Sequence, residues 1–114
     1  MSGAGGLRNT VTFQRRALDA NGDRLGPWEN VWTDVPADLV WLRGSETAVD
    51  ARLQGRQPVV IRVREDEVLD QMPTNGWQAV NADNTAQVFD IKSVAPDRER
   101  GFVSIMAEWE PKNA

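Results

Sequence analysis

An all-β fold, a small barrel or sandwich of about five to seven antiparallel strands, is what this sequence predicts. Three observations predict it. The last third reads as one β-hairpin, Val88–Val94 and then Phe102–Trp109, with apolar residues alternating along both runs. Further strand-like runs recur upstream at short spacing, punctuated by Asn21-Gly22, Gly26-Pro27 and Pro73-Thr-Asn-Gly76. Only one longer segment, between Gly44 and Gly55, has spacing that suits a helix. Every second side chain of a strand falls on the same face of the pleat, so each run offers one apolar face to a shared core.

Residues 1–6, Met1-Ser-Gly-Ala-Gly-Gly6, read as a flexible arm, 7–110 as a single barrel domain and 111–114 as a C-terminal tail. The first strand is expected from Leu7 to Ala17, with Leu7, Val11 and Phe13 on one side and Arg8, Thr10, Thr12, Gln14 and Arg16 on the other. Asp19-Ala-Asn-Gly-Asp23 follows as a loop, since Asn-Gly is a strong turn signal. A long, irregular extended stretch covers Trp28 to Leu42. Pro36 cannot donate to a ladder, so it is expected to mark an edge or a bulge that bends the strand.

The segment from Gly44 to Gly55 holds Val49 and Leu53 four apart, and Ser45 could cap a short helix there. Ten residues alone make a marginal helix in water, and this one offers little apolar surface. The expectation is therefore a long mobile loop that orders against a partner, with a short helix as the alternative. Pro58 opens a strand with Val59, Ile61 and Val63 inward and Arg62 and Arg64 outward. Glu65 to Asp70 suits one acidic turn, and Trp77-Gln-Ala-Val80 another short strand. In the closing hairpin, Phe89 and Ile91 share a face, as do Val103, Ile105, Ala107 and Trp109. Pro96 and Asp97 suit the start of the turn, and Gly101 the positive φ that re-enters the second strand.

Composition narrows function. The 114 residues are 40% hydrophobic and 26% charged, enough for one domain with its own core. There is no His, Cys or Tyr. That removes the imidazole base, the thiolate nucleophile and the usual zinc ligands together. No catalytic residue, cofactor or metal site is expected, and no apolar run is long enough to span a membrane. The net charge of −4, from 13 basic and 17 acidic residues, lacks the concentrated basic face of a nucleic-acid binder.

Two acidic patterns carry bland readings. Asp19-x-Asn21-x-Asp23 copies half a calcium loop, but that loop needs Gly sixth and Glu twelfth, where this chain has Arg24 and Asn30. Glu65, Asp66, Glu67 and Asp70 read as a solvated face; any task for them is repulsion, letting a DNA polyanion slide past. Most of the five tryptophans are expected in the core, with Trp32 and Trp77 as candidates for a subunit interface. Arg98 and Arg100, beside Asp97 and Glu99, form a mixed-charge tip. Isolated surface pairs are worth under about 1 kcal/mol each. At the rim of a ring the same tip could set register and partner choice.

The wording of the closing hairpin, VFDIKSVAPDRERGFVSIMAEW, resembles the end of the phage head-closure proteins, also called head-tail joining or stopper proteins. Leu7-Arg-Asn-Thr-Val-Thr-Phe-Gln-Arg15 is similar to that family's opening strand, Leu42-Arg-Gly-Ser-Glu46 to its L-x-G-x-E stretch, and Val59–Arg64 to its central strand. Gln57-Pro58 departs from the Thr-His of many relatives, and Pro73 to Thr85 is longer. The resemblance implies a β-barrel protomer in the neck of a tailed phage, a prophage or a gene transfer agent, made in the bacterial cytoplasm. It implies a dodecameric ring of copies of the chain; independently of the resemblance, edge strands offer strand addition as a way to join neighbours. Above would lie the portal or adaptor ring, below a tail terminator or tail tube protein, and in the channel double-stranded DNA held without sequence recognition. Family position and the poor self-sufficiency of the segment together suggest a gating loop at Gly44, Ser45, Glu46, Asp50, Arg52 and Gly55, and the residue chemistry above offers Trp32, Trp77, Arg98 and Arg100 as ring or partner contacts. The rival readings are another neck ring protein, adaptor or tail completion, and a stand-alone β-barrel module binding a sugar or single-stranded nucleic acid.

Overall fold

The computed structural model describes residues 8–42, 44, 46–68, 72–98 and 100–110. Six strands form it: β1 (Asn9–Arg16), β2 (Trp28–Trp41), β3 (Gln57–Arg64), β4 (Gln78–Asn81), β5 (Val88–Pro96) and β6 (Phe102–Trp109). One helix, α1 (Glu46–Leu53), joins β2 to β3, and a single 3-10 turn (Glu65–Glu67) follows β3. The strands close on themselves in the order β1-β2-β3-β6-β5-β4, each pair antiparallel. The barrel alternative is the correct one, and the sandwich is not formed.

Alternation drives the closure. Val11 and Phe13 of β1, Val59, Ile61 and Val63 of β3, Phe89 and Ile91 of β5, and Val103, Ile105 and Ala107 of β6 all point inward and are buried. With Val35, Ala37 and Ala79 they make one continuous core. At roughly 25 cal/mol per Å² of apolar surface removed from water, this core is the main stabilising term. Leu7 of the expected first strand lies outside the described residues.

Bulges curve the wall. Along β2 the partners of Val11 and Phe13 are Val35 and Trp32, so three steps on β2 face two on β1. The extra residue coincides with Asp34, at φ 53. Of the two expectations for Pro36, the edge holds and the bulge does not: it pairs with Thr10 of β1, has no partner on β3, and the bend lies two residues earlier. The left-handed conformation of Asp34, which Asp tolerates better than branched residues, makes the turn of the strand. Another bulge, at Lys92 of β5, lets Val94 rejoin the inner side opposite Ile105, where strict alternation would have put Ser93.

The expectation of a loop between Gly44 and Gly55 is also corrected. Residues 46–53 are helical, the alternative that the Val49–Leu53 spacing allowed. Ala51 is buried against the barrel, and Gly55 at φ 82 ends the helix. Its amide donates to the Arg52 carbonyl (3.0 Å), and the Arg56 amide to that of Ala51 (2.9 Å). These bonds satisfy C-terminal carbonyls that an isolated turn would leave to water. Ser45, the expected cap, lies outside the described residues.

Candidate assembly surfaces

Antiparallel order puts the ends of β1 and β3 and the starts of β2, β4 and β6 at one mouth of the barrel. The opposite mouth holds α1, the ends of β2, β4 and β6, and the starts of β3 and β5.

At the helix mouth, Ala51 is the buried residue among the described side chains of α1. Asp50 and Arg52 are exposed, Val49 is 42% exposed and Leu53 81%. Beneath the C-terminal end of α1 opens a cavity of about 530 Å³, lined by Trp41, Arg52, Gly55, Arg56, Gln57, Gln87 and Trp109. Trp41 and Trp109 meet edge to face, 5.7 Å between centroids at 67°, and Trp41 also packs on Phe89 at 5.8 Å. Arg56 donates to Glu108 Oε1 (2.9 Å) and to Gln54 Oε1 (2.6 Å). Gln57 Nε2 ties the wall to the connection by donating to the Leu42 and Pro58 carbonyls, at 2.6 and 2.8 Å. Lys92 lies beside this network, its ammonium 2.9 Å from Asp90 and 3.9 Å from Glu108. The Asp90 hydrogen bond holds its pKa above the ordinary 10.5, against a smaller opposing effect of burial.

At the loop mouth, Asp97 clamps the closing hairpin. Its carboxylate accepts from Arg62 Nε (2.8 Å) and Ser104 Oγ (2.6 Å), and its amide donates to the Phe102 carbonyl (3.1 Å). The Arg62 guanidinium stacks over the Phe102 ring at 4.7 Å and lies 3.8 Å from Asp38. Beyond the clamp, Arg98 and Arg100 stand exposed at the tip. Glu65, Asp66 and Glu67 are exposed on the neighbouring 3-10 turn, which is fixed by the Glu65 amide donating to Gly101 O (2.8 Å).

Across the same mouth lies a second cavity of about 520 Å³, lined by Arg15, Arg16, Arg24, Met72, Thr74, Asn75, Gly76 and Trp77. The β1–β2 loop holds its arginines. Asp19 Oδ1 accepts from the amides of Asn21 and Asp23 (2.8 and 2.9 Å), so this carboxylate of the calcium-like pattern is engaged in building the turn. Arg24 donates to the Arg16 carbonyl (3.2 Å), and Arg16 donates to that of Gly26 (3.1 Å) while stacking on Trp28 at 4.9 Å. Glu29 accepts from Arg15 (2.8 Å) and is 3.7 Å from Arg24. Among the described residues no group of three or more carboxylates is placed to hold a metal ion.

The structure thus brings Arg52 and Gly55 together at one mouth and Arg98 and Arg100 at the other. Gly44 is exposed in the connection before α1, and Glu46 begins the helix. Trp32 is half-buried on β2 opposite Phe13, whereas Trp77, 8% exposed, belongs to the core with Arg15 over its ring at 5.9 Å. Sequence reasoning missed the Trp41–Trp109 cavity and the arginine cleft. The second had a signal: a hairpin turning at Asn21-Gly22 returns Arg24 beside Arg16.

Comparison with known proteins agrees with the resemblance. The family described as phage head completion protein matches residues 3–110. No curated protein and no solved structure matches the chain. A match over nearly the whole barrel, on a fold of the expected class, means that the chain belongs to the phage head completion proteins, a structural family of the head–tail junction.

Proposed function

We propose that copies of this chain form a ring in the neck of a phage or phage-derived particle, close the filled head, retain its DNA and offer the tail its docking surface. The observation that carries the reading is a closed barrel in a chain of this family. A barrel whose core runs through all six strands is rigid, and one head-to-tail contact repeated about an axis closes a ring. The net charge of −4 suits a channel wall that DNA passes without sticking.

In this reading α1 and its flanks, Gly44 to Gly55, are the gate. A short helix bounded by Gly44 and Gly55, with Val49 and Leu53 exposed, would swing as one piece in this role. Trp32, Arg98 and Arg100 serve as contacts to neighbours or to the rings above and below; Trp77 contributes at most an edge. Deleting Ser45 to Gln54 tests the gate. Particles carrying the deletion should hold a normal complement of the chain yet lose packaged DNA. Normal DNA retention, read by nuclease protection, would rule this gate out.

A further inference from the structure

We propose that the arginine cleft of one protomer receives the Glu65–Glu67 turn of the next copy around the ring. The proposal rests on the ring reading above and names the contact that would build it.

Position supports it first. Around the closed wall, the junction of β4 with β1 is separated from the junction of β3 with β6 by three strands in either direction. The cleft sits over the first junction, since Arg15 and Arg16 end β1 and Trp77 precedes β4. The acidic turn sits over the second, where Glu65 is bonded to Gly101 just before β6. Both are at the same mouth. They are therefore on opposite flanks at one level, the placement that a head-to-tail ring contact requires.

Charge supports it second. The described residues lining the cleft include three guanidiniums and no carboxylate, with Glu29 behind them on Arg15. Thr74 and Asn75 add neutral hydrogen-bonding side chains to the same wall. The turn presents three consecutive exposed carboxylates, and no ion pair among the described residues engages them. The adjoining chain reverses sign: Asp19 and Asp23 lie in the loop that carries Arg24, while Arg98 and Arg100 precede Gly101, whose carbonyl accepts from the Glu65 amide. An acid-in-guanidinium contact with oppositely charged rims fixes register and rejects a reversed neighbour.

The test is a charge exchange in particles whose own copy of the gene is deleted, with copies of the chain per purified head counted by quantitative mass spectrometry. Arg16→Glu with Arg24→Glu should cut the count at least tenfold, and so should Glu65→Lys with Glu67→Lys. Co-expressing the two variants, or placing all four changes in one chain, should restore it. Circular dichroism of each purified variant checks that the barrel remains folded, and Arg16→Gln with Arg24→Gln should give an intermediate loss. Folded single variants that retain the wild-type count would overturn the proposal, as would failure of the combined changes to restore it. An unchanged count with reduced DNA retention would assign the cleft to DNA instead, which also overturns it. A wild-type count of one per head would remove the ring reading itself.

Discussion

Asp97→Ala should destabilise the barrel by about 2–3 kcal/mol, although Asp97 belongs to a loop and not to the apolar core. The side chains of Arg62 and Asp97 are only 15% and 10% exposed, so their 2.8 Å contact is poorly screened by water. Hydrogen bonds to charged groups contribute about 1.5–3 kcal/mol. Stranding one member of a fully buried ion pair costs about 3–5 kcal/mol. Removing the Asp97 carboxylate leaves Arg62 with Asp38, at 3.8 Å, and the face of Phe102, so the cost falls below the fully buried limit. It also removes the acceptor of Ser104 Oγ. For a chain of 114 residues this corresponds to a fall in Tm of roughly 8–15 °C. Urea denaturation of wild type, Asp97→Ala, Arg62→Met and the double variant gives the cycle. The two changes should be coupled by about 1–2 kcal/mol, the double variant losing less than the sum. A single-variant loss below about 0.5 kcal/mol with an unchanged m-value would refute the clamp.

Phe89→Ala opens a cavity between Trp41 and the barrel interior, and should cost about 3–5 kcal/mol with a matching fall in Tm. At Asp34, held at φ 53, glycine should be neutral or stabilising by up to about 1 kcal/mol, whereas valine should cost about 1–2 kcal/mol. Thermal melts of the pair read the difference, and equal melts would show that the bulge does not depend on the left-handed conformation.

The elements legible in the sequence are those where period two meets a buried face. Val59, Ile61 and Val63 announce β3, and Phe89, Ile91, Val103, Ile105 and Ala107 announce the closing hairpin, because one face of each strand is wholly buried. Where the chain breaks its own period the pattern gives less. Asp34 changes the face of β2 without a glycine to mark it, and Pro36, the conspicuous residue nearby, is regularly paired. The poor apolar content of 45–54 argues for a loop, yet the segment forms a two-turn helix in which Ala51 is buried and Gly55 provides the stop. Trp77 drew notice as an interface residue by its type, but it fills the barrel mouth under Arg15. The arginine cleft joins residues some sixty positions apart, and only closure of β1 on β4 brings them together.

That closure also bears on how readily copies of the barrel stick to one another. Strand addition between neighbours, the joint that edge strands would offer, finds few places to begin. Among the described residues every strand has two partners, and the longest one-sided stretches are the first half of β2 and the second half of β5. Both stretches are bulged, at Asp34 and at Lys92, and β5 runs out in Pro96. A foreign strand laid along either meets a broken hydrogen-bonding rhythm within a few residues. Fibre-like stacking of the barrel through its strand edges is thereby disfavoured.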